Sequence, residues 1–199
     1  MTTELFVPIG RDLGLYDEKN GERFYAVGSS LSPIILTHVE YFAWSKLRYY
    51  SSIFQWQEEL SAKLKPKFPK LQFEDILLKL LRFNLIMPWH FEDAENSLLV
   101  ETFATRNGVA YGCENNKWRI GSALKRDNLH LTKEQYALWN AAAGSEALIE
   151  ILSITMTQLG MNDTEVLALL NEQGAKLIKL GLWNVEYLPF MAEGAEDVE

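Results

Sequence analysis

Leu36-Thr37-His38-Val39-Glu40-Tyr41-Phe42-Ala43-Trp44 returns 95 residues later as Leu131-Thr132-Lys133-Glu134-Gln135-Tyr136-Ala137-Leu138-Trp139. Both strings read Leu-Thr-x-x-[Glu/Gln]-Tyr-x-x-Trp. Upstream, Tyr25-Ala26-Val27-Gly28-Ser29-Ser30-Leu31 matches Trp118-Arg119-Ile120-Gly121-Ser122-Ala123-Leu124 at an offset of 93. Downstream, Leu80-Leu81-Arg82-Phe83-Asn84-Leu85-Ile86 matches Leu177-Ile178-Lys179-Leu180-Gly181-Leu182-Trp183 at an offset of 97. Three blocks in one order point to two copies of a single folding unit in tandem.

Each block carries a local instruction. Thr37 and Thr132 suit N-caps, and Glu40 and Gln135, three residues on, complete a capping box in both copies. Tyr and Trp three apart share a helix face, and two large aromatics on one face are core. Asn84 and Gly181 follow apolar helical runs and suit the left-handed residue that ends a helix. The residues after them, Leu85-Ile86-Met87 and Leu182-Trp183-Asn184-Val185, read as strands. A middle helix is expected over Ile53–Leu64 in the first copy and Glu146–Leu159 in the second. The third helix is expected over Phe73–Phe83 and Asp163–Leu180, the latter capped by Asn162 with Glu165 three residues on.

The predicted fold is therefore α+β and mostly helical: two tandem winged-helix-like units, a helix-turn-helix variant, from an internal duplication. Residues 1–104 form the first unit. Residues 105–117, with turn chemistry at Arg106-Asn107-Gly108 and Glu114-Asn115-Asn116, form a linker. Residues 118–191 form the second unit and 192–199 an acidic, disordered tail. Ser97–Phe103 is expected to pair back onto Leu85–Met87 as a wing. The second wing is expected to be short, or to borrow a strand from elsewhere, which leaves an open edge at Leu182, Trp183, Asn184 and Val185. Gly10-Arg11-Asp12-Leu13-Gly14 reads as a loop.

The second copy resembles the small peptide-chaperone family of pyrroloquinoline-quinone biosynthesis. The resemblance rests on Leu131-Thr132, Tyr136, Trp139, Gly144, Leu159-Gly160-Met161 and Leu180-Gly181-Leu182-Trp183. It covers residues 118–186 and, more loosely, 5–90. It implies a winged-helix-like fold that binds leader peptides. Members of that family are usually single units, whereas two are present here.

Charge narrows the partners. The chain is −8 overall, with 14 Lys/Arg against 15 Asp/Glu in residues 1–119 and 5 against 12 in residues 120–199. A duplex-binding surface needs a basic face to displace phosphate counterions, and the C-terminal half is poor for that. The first copy is better supplied: Lys63, Lys65, Lys67 and Lys70 lie in the turn before the third helix, and Lys79 and Arg82 on it. In a helix-turn-helix this is where phosphate and base contacts fall, although Glu74 and Asp75 at the start of that helix would repel a duplex.

No catalytic or metal-binding pattern emerges. His38, His90 and His130 lack the close-set partners a zinc site needs. Cys113, the single cysteine, has no signature of a nucleophile around it and reads as a structural thiol. Nucleophile elbow, phosphate loop and dinucleotide fingerprint are all missing from the sequence. Glu58-Glu59 and Glu92-Asp93 are adjacent in sequence and do not face each other on a helix.

With one cysteine, no apolar run of transmembrane length and no signal-peptide pattern at the start, a cytoplasmic location is expected. The reading is a non-enzymatic binding or adaptor protein, with no cofactor and no membrane association. It takes a peptide or protein partner, one route being strand addition at Leu182–Val185. The alternative is a DNA-binding regulator using Lys63–Arg82.

Overall fold

The computed structural model describes residues 5–28, 33–50, 52–121, 128–144 and 146–187. The expected acidic tail, 192–199, lies outside the described residues.

The order of elements is β1 (Phe6–Pro8), β2 (Arg11–Lys19), β3 (Glu22–Gly28), β4 (Ile34–Thr37), α1 (His38–Leu47), α2 (Ile53–Leu64), α3 (Phe73–Arg82) and β5 (Ile86–Pro88). After a short helix, α4 (Ser97–Glu101), the order repeats. It runs β6 (Thr102–Arg106), β7 (Val109–Glu114), β8 (Lys117–Gly121), β9 (Leu129–Leu131), α5 (Lys133–Ala141), α6 (Leu148–Leu159), α7 (Asp163–Leu169), a π segment (Leu170–Gly174), α8 (Ala175–Lys179) and β10 (Trp183–Tyr187). The mixture of helix and strand is α+β. Its strands form two antiparallel three-stranded sheets, β2-β3-β4 and β7-β8-β9, and two ribbons, β1-β5 and β6-β10.

Local chemistry sets the helices where the sequence expects them. Thr37 accepts from the Glu40 amide while Glu40 accepts from the Thr37 amide, and Thr132 and Gln135 repeat this exchange. Asn162 and Glu165 form a third capping box. Asn84 and Gly181 adopt φ of 51° and 71° and end their helices in a left-handed turn. The next amides, Leu85 and Leu182, close back on Leu80 and Leu177 at 2.8 Å each.

The two halves bury their aromatic helices in the same way. Tyr41 stacks on Tyr25 at 4.3 Å, and Tyr136 on Trp118 at 3.7 Å. Each Tyr is tilted against its Trp, Trp44 at 5.9 Å and Trp139 at 5.6 Å. The Trp44 indole N–H donates to the Ile9 carbonyl at 3.1 Å, and the Trp139 indole to the Asn107 carbonyl at 2.8 Å. Gly10 and Gly108 follow those carbonyls with φ of 98° and 94°. A Cβ at either would sit 2.4 or 2.3 Å from the carbonyl oxygen of Gly28 or Gly121, so only glycine fits.

Several expected elements are corrected by tertiary pairing. Ser97–Glu101 is helix, not a wing strand: Asn96 caps it by accepting from the Leu98 amide at 3.0 Å, and Leu99 is buried. Leu85–Met87 finds β1 as its partner instead, with Val7 opposite Met87. Residues 105–117 are mostly strand, with the Glu114-Asn115-Asn116 stretch as the tight turn between β7 and β8. Gly10–Gly14 is not a loop but runs into β2, which returns as β3 through Asn20-Gly21 with φ of 53° and 80°.

The core divides unevenly. One cluster joins Val27, Leu36, Trp44, Trp56, Leu60, Phe73 and Leu80 within the first half. The other takes the second half together with Val7, Ile9, Met87, Trp89 and Phe91. Successive residues of a strand face opposite sides, so the β1-β5 ribbon sends Phe6 and Ile86 to the first cluster and Val7 and Met87 to the second. Trp89 crosses furthest. Its indole N–H donates to the Leu170 carbonyl at 3.3 Å, and Asn171 exchanges hydrogen bonds with the Phe91 backbone at 2.9 and 2.8 Å. The π segment makes this seat, because a Cβ on Gly174 would come within 2.6 Å of Trp89.

Candidate functional site

The third helix of the first half has a buried side and a free one. Phe73, Ile76 and Leu80 face the core. Asp75, Leu78, Lys79 and Arg82 fall at i, i+3, i+4 and i+7 and form an outward stripe. Leu78 is 64% exposed, and Leu81 and Phe83 beside it are exposed as well. Glu74 and Asp75 complement the positive end of the helix.

Between this helix and the end of β4 lies a groove of about 310 Å³, lined by Thr37, Glu40, Lys70, Leu71, Ile76 and Lys79 among others. Glu40 sits at its floor with two tasks. It accepts from the Thr37 amide at 2.9 Å, closing the cap, and from Lys79 Nζ at 2.7 Å, tying α1 to α3. Among the described residues β4 pairs with β3 alone, and its last residue, Thr37, is the part of β4 that lines the groove. Leu71 and Ile76 give the wall an apolar strip between the charged ends.

The six cations expected to meet nucleic acid are not brought together as one surface. Lys63 is paired with Glu59 at 3.3 Å. Lys79 is half-buried and held by Glu40. Lys70 joins Lys79 at the groove, and Arg82 stands further along the helix beside Leu78 and Phe83. Lys65 and Lys67 are exposed in the turn. Gln57 donates to Glu74 at 2.9 Å, so a carboxylate is fixed at the end of the helix that a DNA groove would receive. Leu78 and Leu81 occupy outward positions where base reading needs donors and acceptors.

The expected open edge at Leu182–Val185 is closed. Trp183, Asn184 and Val185 lie opposite Arg106, Thr105 and Ala104 of β6. On the other side the Gly10 amide donates to the Val185 carbonyl at 2.8 Å, and Arg11 reaches the buried carboxylate of Glu186 at 2.5 Å. Leu182, Trp183 and Val185 are buried. The outer edge of β6 is covered in turn, with the Ala104 and Arg106 amides donating to Glu146 and Ala142. The strand that pairs with β10 is thus β6, which runs from the expected end of the first unit into the start of the expected linker.

His38, His90 and His130 are all exposed and lie in separate elements. Among the described residues no group of three His, Cys, Asp or Glu side chains is placed to hold a metal ion. Cys113 is an exposed free thiol on β7 rather than a packed one. Burial and the neighbouring Asp12 carboxylate, which accepts from its hydroxyl at 2.5 Å, push the Tyr41 phenol above its usual range. Burial alone pulls the Lys179 ammonium below its own. No described helix is long and apolar enough to cross a membrane.

Sequence reasoning missed the exposed apolar stripe of α3. A signal was present: Leu77-Leu78 and Leu80-Leu81 are doublets, and a helix buries only one side, so one member of each pair must turn outward.

No family model matches the chain, and no curated protein or solved structure matches it either.

Proposed function

We propose that this chain is a non-enzymatic binding protein. In this reading it is built from two winged-helix-like units that arose by internal duplication, and the first unit takes a peptide or protein segment as an added strand along β4, against α3. The observation that carries the binding site is the groove between the end of β4, at Thr37, and α3. An extended segment there would satisfy the edge through its backbone and set alternate side chains against the apolar strip or the charged ends of the groove. The duplication is supported by the matched indole hydrogen bonds, aromatic stacks and left-handed glycines of the two halves. Peptide recognition is further supported by the resemblance of the second copy to a leader-peptide-binding family.

Duplex binding is the weaker alternative. Its support is the exposed run Lys65, Lys67 and Lys70. Against it stand the fixed carboxylates at the start of α3, the apolar outward stripe and a net charge of −8.

A random-peptide display library panned on the intact chain tests the choice. The expected result is a set of extended sequences whose binding falls at least about 10-fold, or about 1.4 kcal/mol, when Gln72→Trp fills the groove. Gln72 is exposed and makes no side-chain cap bond, so the fold should survive the change. Recovery of no peptide, together with retention on duplex DNA that falls steeply with salt, would overturn the reading in favour of the regulator.

A further inference from the structure

The outward stripe of α3 combines two kinds of surface. Leu78 and Phe83 are exposed apolar side chains, and Lys79 and Arg82 stand beside them round a shallow depression of about 340 Å³ that also touches Asp75. Residues 62–83 hold Lys63, Lys65, Lys67, Lys70, Lys79 and Arg82 against Glu74 and Asp75 alone, a local reversal of sign in a chain of −8. Apolar anchors flanked by cations fit a peptide that offers bulky apolar side chains followed by carboxylates.

The chain contains such a peptide. In residues 188–199, Leu188, Phe190 and Met191 come first, and Glu193, Glu196, Asp197 and Glu199 follow. Its starting point is close to α3. The Ile9 amide donates to the Leu85 carbonyl and the next amide, Gly10, to the Val185 carbonyl, both at 2.8 Å. The start of β5 and the middle of β10 are therefore about two strand spacings, roughly 10 Å, apart.

Val185 meets Gly10 and Glu186 meets Arg11, so the end of β10 lies beside the start of β2. The last described residue is Tyr187. Phe190 is three residues further, a reach of roughly 10 Å. The carboxylates beyond it span a helix only about 15 Å long.

We propose that the outward face of α3 is covered, within the same molecule, by residues 188–199, with Phe190 and Met191 on Leu78 and Phe83 and the carboxylates along Arg82, Lys79 and Lys70. Asp75 opposes this contact, and Glu74 is turned to Gln57. Tethering makes a weak contact sufficient. At an effective concentration of about 1 mM, a contact with a Kd of about 100 μM is closed in roughly nine molecules of ten. The cover shares Lys70 and Lys79 with the groove but needs neither β4 nor Gln72, so the Leu78→Asp and Gln72→Trp variants tell the two readings apart.

Amide NMR spectra of the full chain and of the full chain carrying Phe190→Ala and Met191→Ala test it. The Leu78, Arg82 and Phe83 amides should shift, while the Trp139 indole N–H stays. A synthetic peptide of residues 188–199, added to the doubly substituted chain, should restore those shifts. It should bind the unsubstituted chain about 10-fold more weakly, because there the face is already occupied. Leu78→Asp in the doubly substituted chain should abolish the binding. Unmoved α3 amides, equal peptide affinity for both chains, or shifts that grow with protein concentration and so place the segment on a second copy would each overturn the proposal. Library-selected peptides that still lose affinity on Gln72→Trp would show that the β4 reading survives that failure.

Discussion

The two halves share a scaffold and differ in what their third helices face. In the first, α3 is a regular helix whose outward stripe, Asp75, Leu78, Lys79 and Arg82, meets solvent. In the second, the helix is interrupted by a π segment, and Trp89 and Phe91 from the first half pack into the space this opens. One third helix thus seats Trp89 and Phe91, and the other carries an exposed outward stripe. The capping residue follows the same division. Glu40 reaches Lys79 as an ion pair, whereas Gln135 reaches Gln173 as a neutral hydrogen bond at 2.9 Å. The matched contacts lie in the caps and aromatic helices and the differences on the third helix, which is why the proposed binding site is sought on the first half.

Removing either indole strains that comparison most. Trp44→Ala and Trp139→Ala should each cost about 3–5 kcal/mol in urea unfolding, since both rings are buried and both satisfy a backbone carbonyl. A loss below about 1 kcal/mol in one, beside a large loss in the other, would break the equivalence. Gly174→Ala should cost about 1–3 kcal/mol, because its Cβ must displace the Trp89 ring. Thermal melts and loss of the Trp89 fluorescence environment would report it, and an unchanged melting temperature would deny the π segment its role as a seat. Glu40→Gln gives the first half the amide that the second carries. The cap should persist and the ion pair should be lost, for a change of no more than about 1 kcal/mol, and raised salt should narrow the gap to wild type. A loss of several kcal/mol would show that the Lys79 pair holds α3 in place.

Helices were legible because their instructions are local. Thr37 with Glu40, Thr132 with Gln135 and Asn162 with Glu165 each specify a helix start within four residues, and all three form the expected box. Asn84 and Gly181 mark helix ends by a conformation that few residues adopt. Ser97–Glu101 misleads for a different reason: Leu98-Leu99-Val100 suits a strand or a short helix equally, and the Asn96 cap decides. The exposed stripe that makes α3 a candidate site was only half visible, since leucine doublets say that one side chain turns outward but not which.

The sequence by itself determined the capped helix starts at Thr37, Thr132 and Asn162 and that the Trp of Tyr-x-x-Trp is buried twice, because capping and helical periodicity are satisfied by residues a few positions apart. Only the tertiary structure decided that β5 pairs with β1, that β10 pairs with β6 and loses its open edge, and that Trp89 enters the other half. A strand's hydrogen bonds leave its own segment, so its partner is set by what the rest of the chain brings alongside.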